Sequence, residues 1–459
     1  MIQTAVAPKS KTATAEPRSR ESSSPAKDLL ARFHQVRDFS SRLTQNLAAE
    51  DCVVQSMPEV SPTKWHLAHT TWFFETFILK KWLSGYRDAV PEYAYLFNSY
   101  YNAAGAMHRR DLRGMISRPT VEETKKYRAS VDADIDRLIS GADEKSFREI
   151  EPILTLGIHH ERQHQELLVT DIKHVFAQNP LYPVFQKQKV PDHKIDIPPA
   201  EFVEFAEATV EVGHDGNGFC YDNELPRHRA LVLPFALANR LVTNAEYLEF
   251  MNDNGYSRPE FWLSLGWTTV NEQNWRAPLY WIERDGEWLN FTLSGLRRVE
   301  PSEPVTHLSS FEADAYAKWA GARLPTEFEW EVAASSRASR RALRFPWGDN
   351  EPTMRDANVD QLAFDTAPVG AFERNISPSG CYGMIGDVWE WTSSDFHGYP
   401  GFETFPYREY SEEFFGSEYK VLRGGSWATR PGAIRNTFRN WDYPIRRQIF
   451  SGFRCATDG

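Results

Sequence analysis

The sequence predicts a multidomain protein of mixed class, with an all-helical first half and an α+β second half. Its 459 residues exceed the size of one ordinary domain, so two or three domains are expected. From about residue 26 to about residue 178, apolar side chains recur at three- and four-residue steps, the period of a buried helix face. After residue 200 the segments become short and rich in Gly, Pro, Asn and Trp, which is typical of irregular backbone.

Four helices are predicted in the first half, and together they favour a helical bundle. The first helix carries one apolar stripe along residues 29–43. The other three are predicted over residues 63–83, 120–139 and 146–175. Thr120 and Glu123 have the spacing of a capping box at the start of the third helix. Bundles commonly build metal sites from side chains on facing helices.

The domain boundary is predicted at a proline-rich stretch that lacks periodicity. We expect a disordered tail over residues 1–27, the bundle over 28–185, a linker over 186–204 and the second domain over 205–459.

The second domain is predicted to contain two short helices, each opened by a capping box. These boxes are Ser309 with Glu312 and Thr326 with Glu329. Strand-like pieces lie around them, in ALVLPFALA, KVLRGGSWA and FSGFRCA.

The composition excludes several classes of function. The formal net charge of -11 argues against the basic face that nucleic-acid binding needs. No apolar run approaches the length that spans a bilayer, so no membrane partner is expected. The four cysteines are far apart and form no CxxC pair, which argues against a disulfide framework and favours a reducing, cytoplasmic setting.

The segment HHERQHQE is the strongest candidate site in the bundle. His160 and His164 are four residues apart, so on a helix they share one face and can reach the same metal. The predicted second helix offers His66 and His69 in WHLAHTTWFFE. The pattern HExxH also allows a zinc peptidase with Glu161 as general base. Three histidines suit iron, zinc or copper, and their spacing does not choose among these metals.

A long segment between the second and third helices, residues 84–118, also contains many side chains capable of binding or catalysis. Loops of this length in a compact domain are commonly functional. Its sequence HRRDLRGMISRP contains Arg109, Arg110 and Arg113, and an arginine fork binds a carboxylate through two contacts. A solvated basic loop is the alternative interpretation of these arginines.

Motifs along both halves resemble known families. GARLPTEFEWEVAA, FPWGD, GDVWEWTSS, VLRGGSW and SGFRCA resemble, in this order, the formylglycine-generating-enzyme or sulfatase-modifying-factor domain, which has a C-type-lectin-like fold. This resemblance covers about residues 205–457. The segments SPTKWHLAHTTWFFE and HHERQHQE resemble the DinB-like four-helix bundle. The two parts in this order are similar to the sulfoxide synthases of ergothioneine biosynthesis.

The resemblance implies an oxidoreductase that uses Fe(II) and O2. Such enzymes join a thiol to the imidazole of N-α-trimethylhistidine, or hercynine, and with cysteine they give hercynylcysteine sulfoxide. The iron ligands that the resemblance implies are His69, His160 and His164, while His66 would be structural.

The same resemblance implies the substrate contacts. Gln163 would help to hold hercynine, and the segment RNTFRNWDYP would supply Asn440, Trp441 and Asp442, with Asn440 positioning the substrate. Trp441 could face the quaternary ammonium by cation–π attraction, and Asp442 could accept from an ammonium of the thiol substrate. Arg110 and Arg113 would bind the carboxylate of the thiol substrate.

Sulfoxide formation also calls for a proton donor, and a tyrosine hydroxyl can serve. Tyr100 and Tyr101 in NSYYN resemble the branch of the family that uses free cysteine rather than γ-glutamylcysteine. Cysteine is therefore the predicted thiol, and the choice between the two tyrosines stays open. Tyr443 is a weaker candidate from the second domain.

Other interpretations remain open alongside this one. They are a synthase acting on histidine itself, as in ovothiol biosynthesis, a thiol-transferase-type bundle, and the zinc peptidase. The ovothiol enzymes usually add a methyltransferase domain, and none is visible before Gly459. The cysteine pair of formylglycine-generating enzymes has only Cys381, Cys455 and Cys220 as counterparts, which makes protein oxidation doubtful.

A calcium ion is a further expectation from the resemblance. Asn358 in Ala357-Asn358 and the segment 386–391, Gly-Asp-Val-Trp-Glu-Trp, would supply oxygen ligands. The sequence leaves the oligomeric state open.

Overall fold

The computed structural model describes residues 24–101, 105–187, 197–335, 343–405 and 408–459. Most of the predicted tail, and much of the predicted linker, lie outside these residues. The first helix begins at Pro25, so residues 25–27 are helical and not part of a tail. Ser24 explains this start, because its side chain accepts a hydrogen bond from the Lys27 N–H and Pro25 suits the first helical turn.

The first half is a helical bundle, as predicted. Its helices are α1 (Pro25–Thr44), α2 (Thr63–Phe74), α3 (Lys80–Trp82), α4 (Tyr93–Phe97), α5 (Val121–Gly141) and α6 (Glu144–Ala177). A π-helical turn, Glu75–Leu79, joins α2 to α3, so the predicted helix over 63–83 is not regular throughout. The predicted capping box of Thr120 and Glu123 is confirmed at the start of α5. Both α1 and α2 pack against α6, and α2 also packs against α5.

The second half contains four short helices in the described residues. They are α7 (Asn244–Asn252), α8 (Ser264–Glu272), α9 (Ser310–Trp319) and α10 (Glu327–Ala334). The capping boxes predicted for α9 and α10 are confirmed. The prediction missed α7 and α8, although α7 also begins at a capping box, Thr243 with Glu246.

The strands of the second half form four small sheets within the described residues. One sheet has the order β1 (Phe202–Phe205), β4 (Phe235–Ala238), β12 (Ala456–Asp458). A second has the order β10 (Asn440–Asp442), β9 (Gly416–Arg423), β8 (Trp389–Phe396), β11 (Ser451–Gly452). The others pair β2 (Ala208–Val212) with β3 (His228–Val232), and join β5 (Trp281–Arg284), β6 (Glu287–Thr292) and β7 (Gly295–Arg298). All of these pairs are antiparallel except β8 with β11.

Helix α6 also contacts the second domain directly. Glu166 accepts hydrogen bonds from Trp389 Nε1 at 2.7 Å, Ser426 Oγ at 2.6 Å and Thr429 Oγ1 at 2.7 Å. The helix that carries the HHERQHQE segment is therefore fixed from both halves of the molecule. None of the helices in the described residues is both long and apolar enough to cross a membrane.

Candidate active site

Three histidines meet in the core of the bundle. His69 comes from α2, and His160 and His164 come from successive turns of α6. One ring nitrogen from each lies within 4.8 Å of the others. Among the described residues, this is the only group of three or more His, Cys, Asp or Glu side chains found in such an arrangement. The structure thus brings the three predicted iron ligands together.

The protonation state of the triad suits a metal. Burial lowers the pKa of His160 to about 3 and holds the pKa values of His69 and His164 well below the usual range. The three imidazoles are therefore neutral at pH 7. The Nε2 of His69 and both ring nitrogens of His160 have no hydrogen-bond partner in the protein. Buried nitrogens without partners cost free energy, and a bound cation would satisfy them.

The ring of His69 is held by its own surroundings. Its Nδ1 donates to the carbonyl of Phe97 at 2.6 Å, which leaves the Nε2 lone pair for a metal. The ring stacks on Trp65, with centroids 4.6 Å apart and planes at 10°, and also on Trp72, with centroids 5.6 Å apart. Trp65 and Trp72, two aromatic residues of WHLAHTTWFFE, therefore hold the His69 ring in place.

Glu161 does not have the surroundings of a general base. It accepts hydrogen bonds from Arg37 Nη1 at 2.9 Å and Ser40 Oγ at 2.6 Å, and it forms an ion pair with Arg128. Burial alone would raise the pKa of Glu161, but Arg128 and Arg37 lower it to about 2. Glu161 thus serves as a buried anchor between helices, which argues against the zinc-peptidase interpretation of HExxH.

Gln163 lies on α6 beside the triad and contacts the second domain. The hydroxyl of Tyr410 donates to its Oε1 at 3.2 Å. Tyr410 is buried and stacks on Tyr221, with ring centroids 5.3 Å apart. Tyr410 is not among the predicted site residues, because a tyrosine in an irregular segment carries no periodic signal.

Tyr100 and Tyr101 occupy different positions in the long loop. Their rings stack with centroids 4.7 Å apart. Tyr101 is buried, and its ring centroid lies 6.2 Å from that of His69. Tyr100 instead contacts Phe414 of the second domain at 5.2 Å. Tyr101 is therefore the nearer of the two to the triad.

Arg113 and Arg110 also differ in their surroundings. The Arg113 guanidinium lies 3.4 Å from the Trp65 ring centroid and donates to Ser61 Oγ and Ser99 Oγ. It is buried, and burial holds its pKa well below the usual range. Within the described residues it forms no ion pair with a carboxylate, and its Nε has no hydrogen-bond partner. Arg110 is exposed, and its Nη2 donates to the carbonyl of Glu59 at 2.6 Å.

Asn440, Trp441 and Asp442 form the short strand β10, at one edge of its sheet. Trp441 is half-buried and stacks on Phe396, with centroids 4.2 Å apart. Phe414 contacts both Trp441 and Tyr100, so β10 and the long loop of the bundle lie against a common residue.

Asp442 and Tyr443, which follow Trp441 in the sequence, form hydrogen bonds with nearby groups. Burial raises the pKa of the Asp442 carboxyl to about 7, and Arg110 acts in the opposite direction. Asp442 Oδ1 accepts from the Tyr443 N–H at 2.8 Å. The hydroxyl of Tyr443 accepts from that of Tyr419 at 2.6 Å.

The residues expected for calcium contact one another directly. Asn358 Nδ2 donates to Asp387 Oδ1 at 2.7 Å and to the carbonyl of Asp365 at 3.0 Å. A calcium ion there stays a prediction. The structure describes all four cysteines, and none of them forms a disulfide.

Fold and site together define a class, a helical bundle with a candidate three-histidine metal site joined to a domain of short strands. The first part matches the DinB superfamily over residues 32–168. The second matches the Sulfatase-modifying factor enzyme 1-like domain over residues 185–459. Both assignments confirm the predicted fold class.

Curated relatives narrow the class to one family. The chain is 37% identical over 423 residues to "Hercynine oxygenase" of Mycolicibacterium smegmatis, covering 88% of this chain and 92% of that one. It is 46% identical over 240 residues to "Hercynine oxygenase" of Mycobacterium tuberculosis, covering 52% of this chain and 56% of that one. A "Formylglycine-generating enzyme" of Thermomonospora curvata is 30% identical over 317 residues, which cover 59% of this chain and 99% of that one.

The chain belongs to the hercynine oxygenase family, as its motifs predicted. It is therefore an oxidoreductase of the oxygenase type. Membership and the histidine triad together indicate a metal cofactor and small-molecule substrates.

Proposed function

We propose that the protein joins a thiol to hercynine with dioxygen, at an iron held by His69, His160 and His164. One observation carries the proposal, the cluster of neutral histidine nitrogens without protein partners in a chain of this family. The reaction balances as thiol S–H plus imidazole C–H plus O2, giving a C–S(=O) linkage and water. Both C–S bond formation and sulfur oxidation supply two electrons each, and O2 accepts four.

The donor set fits iron, because neutral imidazoles suit a transition metal and three protein ligands leave coordination positions open. When bound, the iron would supply those positions and the electron-transfer chemistry that O2 requires. The three neutral ligands leave the positive charge of the cation uncompensated, which favours entry of the thiol substrate as a thiolate.

Arg113 is the residue of this chain best suited to the carboxylate of the thiol substrate. Its guanidinium is buried and stacked on Trp65, and it lacks a carboxylate partner among the described residues. A desolvated guanidinium forms strong charge-assisted hydrogen bonds with a carboxylate. We propose that Arg110, which is exposed, strengthens this attraction from the rim.

The remaining substrate contacts in this proposal come from β10 of the second domain and from Gln163 of α6. Trp441 would face the quaternary ammonium, Asn440 and Gln163 would orient the imidazole, and Asp442 would accept from the ammonium of the thiol substrate. The shared contact of Phe414 with Trp441 and Tyr100 supports this arrangement, because it places β10 against the loop of the bundle.

Tyr101 and Tyr100 are the proposed source of the proton. Tyr410 is a further candidate, because its hydroxyl reaches Gln163, the residue next to the ligand His164. Replacement of each tyrosine by phenylalanine separates them. The donor variant is expected to keep oxygen uptake but to lose sulfoxide in favour of other oxidised thiol products.

Cysteine is the proposed thiol, since Tyr100 and Tyr101 resemble the cysteine-using branch, and γ-glutamylcysteine is the alternative. A synthase acting on histidine would differ in the second substrate. We place the reaction in the reducing cytoplasm, on the strength of the scattered cysteines.

The decisive experiment is oxygen consumption by protein loaded anaerobically with Fe(II), given hercynine with cysteine or with γ-glutamylcysteine. The expected result is fast uptake that needs both substrates, with a sulfoxide product by mass. Uptake with histidine in place of hercynine would favour the ovothiol-type reaction. Uptake with cysteine alone would indicate a thiol dioxygenase, and no uptake with any thiol would overturn the proposal.

Glu161→Gln distinguishes the proposed synthase from the zinc peptidase. A peptidase would lose its general base. The proposed synthase is expected to lose stability, because Arg37 and Arg128 lose a charged partner, while oxygen uptake per folded, iron-loaded molecule stays within about twofold of wild type. Peptide hydrolysis by wild type that this substitution abolishes would contradict the proposal.

A further inference from the structure

Two polar side chains behind His164 have a role that the triad alone does not reveal. His66 lies on α2, one turn before His69. Asp171 lies on α6, two turns after His164. Each helix thus presents one of these side chains to the other, next to a ligand that it also contributes.

The contacts form a continuous chain to the metal ligand. His66 Nδ1 lies 2.9 Å from His164 Nδ1, and His66 Nε2 lies 2.9 Å from Asp171 Oδ2. The same Asp171 oxygen accepts the backbone N–H of Ser61 at 2.7 Å. The side chains of His66, His164 and Asp171 are all buried or nearly so.

Hydrogen-bond roles follow from the fixed end of this chain. The Asp171 oxygen acts as an acceptor, so His66 donates to it through Nε2–H. The His66 ring then has its Nδ1 lone pair available, and His164 donates to it through Nδ1–H. The proton of neutral His164 is thereby held on Nδ1, and the Nε2 lone pair is left for the metal.

We propose that His66 and Asp171 are positioning residues that fix the tautomer and the ring orientation of His164 as a metal ligand. This inference rests on the metal site of the proposed function. His69 reaches the same end differently, through its hydrogen bond to the Phe97 carbonyl. His160 has no such support, because neither of its ring nitrogens has a protein partner.

The test measures metal affinity and ligand geometry in the full-length protein, with Co(II) as a spectroscopic probe. His66→Phe keeps a ring of similar size but cannot accept a proton. It is expected to weaken Co(II) binding by about 10–100-fold, the usual effect of losing such a partner, and to change the visible absorption of bound Co(II). Far-UV circular dichroism and thermal unfolding without metal show whether the variant is folded.

Asp171 is tested by a pair of substitutions. Asp171→Ala removes the acceptor and is expected to weaken Co(II) binding by a similar factor, whereas Asp171→Asn keeps an acceptor oxygen and should recover most of the affinity. In the His66→Phe background, Asp171→Ala is expected to weaken Co(II) binding by less than about a further threefold, because the hydrogen-bond chain is already broken.

A His–Asp pair elsewhere in the bundle provides the control. His34 Nε2 contacts Asp136 Oδ1 at 2.7 Å on α1 and α5, and His34→Phe should leave Co(II) affinity and spectrum unchanged. Equal affinity and an equal spectrum in wild type and folded His66→Phe would overturn this inference alone. Failure of the wild type to bind Co(II) or Fe(II) would overturn the proposed metal site, and the inference with it.

Discussion

The two halves of the molecule differ in how their buried polar groups are arranged. In the second domain, buried arginines pair with buried glutamates through short hydrogen bonds or ion pairs. These pairs are Arg423 with Glu331, Arg435 with Glu224, Arg439 with Glu327, Arg447 with Glu312 and Arg454 with Glu390. In the bundle, the histidine triad is buried with several ring nitrogens that lack any protein partner.

This difference distinguishes polar groups that stabilise the fold from polar groups that are available for chemistry. The second domain has short strands and irregular connections, and its charged pairs tie together segments that regular hydrogen bonding does not reach. The bundle also contains a buried charged group, Glu161 with Arg37 and Arg128, but its three triad histidines bring unsatisfied nitrogens together at one point. A cluster of unpartnered buried nitrogens therefore points to the chemistry more directly than a buried charged pair does.

Removing a triad residue is expected to give the largest effect on activity. His160→Ala removes a proposed ligand whose ring nitrogens make no hydrogen bond with the protein, so the fold loses no such contact. Iron binding is expected to be lost and oxygen uptake to fall to background, while the helical circular dichroism stays that of wild type. Metal content and an oxygen electrode measure both.

His159→Ala is the matched control for this comparison. His159 is the preceding buried histidine of α6, but its ring stacks on Phe219 at 3.7 Å. This variant should bind iron as wild type does. Iron and activity retained by His160→Ala would contradict the assignment of the triad.

Breaking a charged pair of the second domain should affect stability instead. Arg454→Met leaves Glu390 buried without its partner, and loss of one member of a buried pair costs about 3–5 kcal/mol. Urea unfolding measures this loss. The double variant Arg454→Met with Glu390→Gln should recover most of it, and a loss below about 1 kcal/mol in the single variant would show that these pairs do not hold the domain.

The sequence predicted those parts of the molecule that follow from local pattern. The apolar stripe at residues 29–43 and the capping box at Thr120 depend on neighbours within a few positions, and both are present in the structure. The i,i+4 spacing placed His160 and His164 on one helix face by geometry alone. Family motifs supplied His69 and the β10 residues, which no periodicity could have selected.

What the sequence could not show are contacts between distant segments. Tyr410 reaches Gln163 across 247 positions, and Asp171 reaches His66 across 105. The partners of Glu161, which lie 121–124 positions earlier on α1 and 33 earlier on α5, decide that it is an anchor rather than a base. Such pairings depend on how helices and loops pack, and no local pattern in the sequence reveals them.

The contact between the halves offers a smaller effect. Glu166→Ala removes three hydrogen bonds from α6 to the second domain and is expected to cost about 1–3 kcal/mol. Glu166→Gln should cost less, because burial raises the pKa of Glu166 and the folded state already disfavours its charge. Calorimetry without metal checks both variants, and equal losses for Ala and Gln would contradict this account.

Lys173 gives the most specific effect, a dependence of stability on pH, at the boundary between the halves. It lies on α6 but its Nζ contacts His307 Nε2 of the second domain at 2.7 Å. Burial lowers the pKa of Lys173 to about 7, below its value of about 10.4 in an unfolded chain. Between these two pH values the unfolded state binds more protons, so the stability of the folded state rises with pH there, by at most about 1.4 kcal/mol per pH unit.

Lys173→Met should lack this rise in urea unfolding at pH 7, 8 and 9, whereas Lys318→Met, at an exposed pair with Asp314, should follow wild type. Parallel pH curves for wild type and Lys173→Met would show that the buried lysine keeps its charge at the boundary.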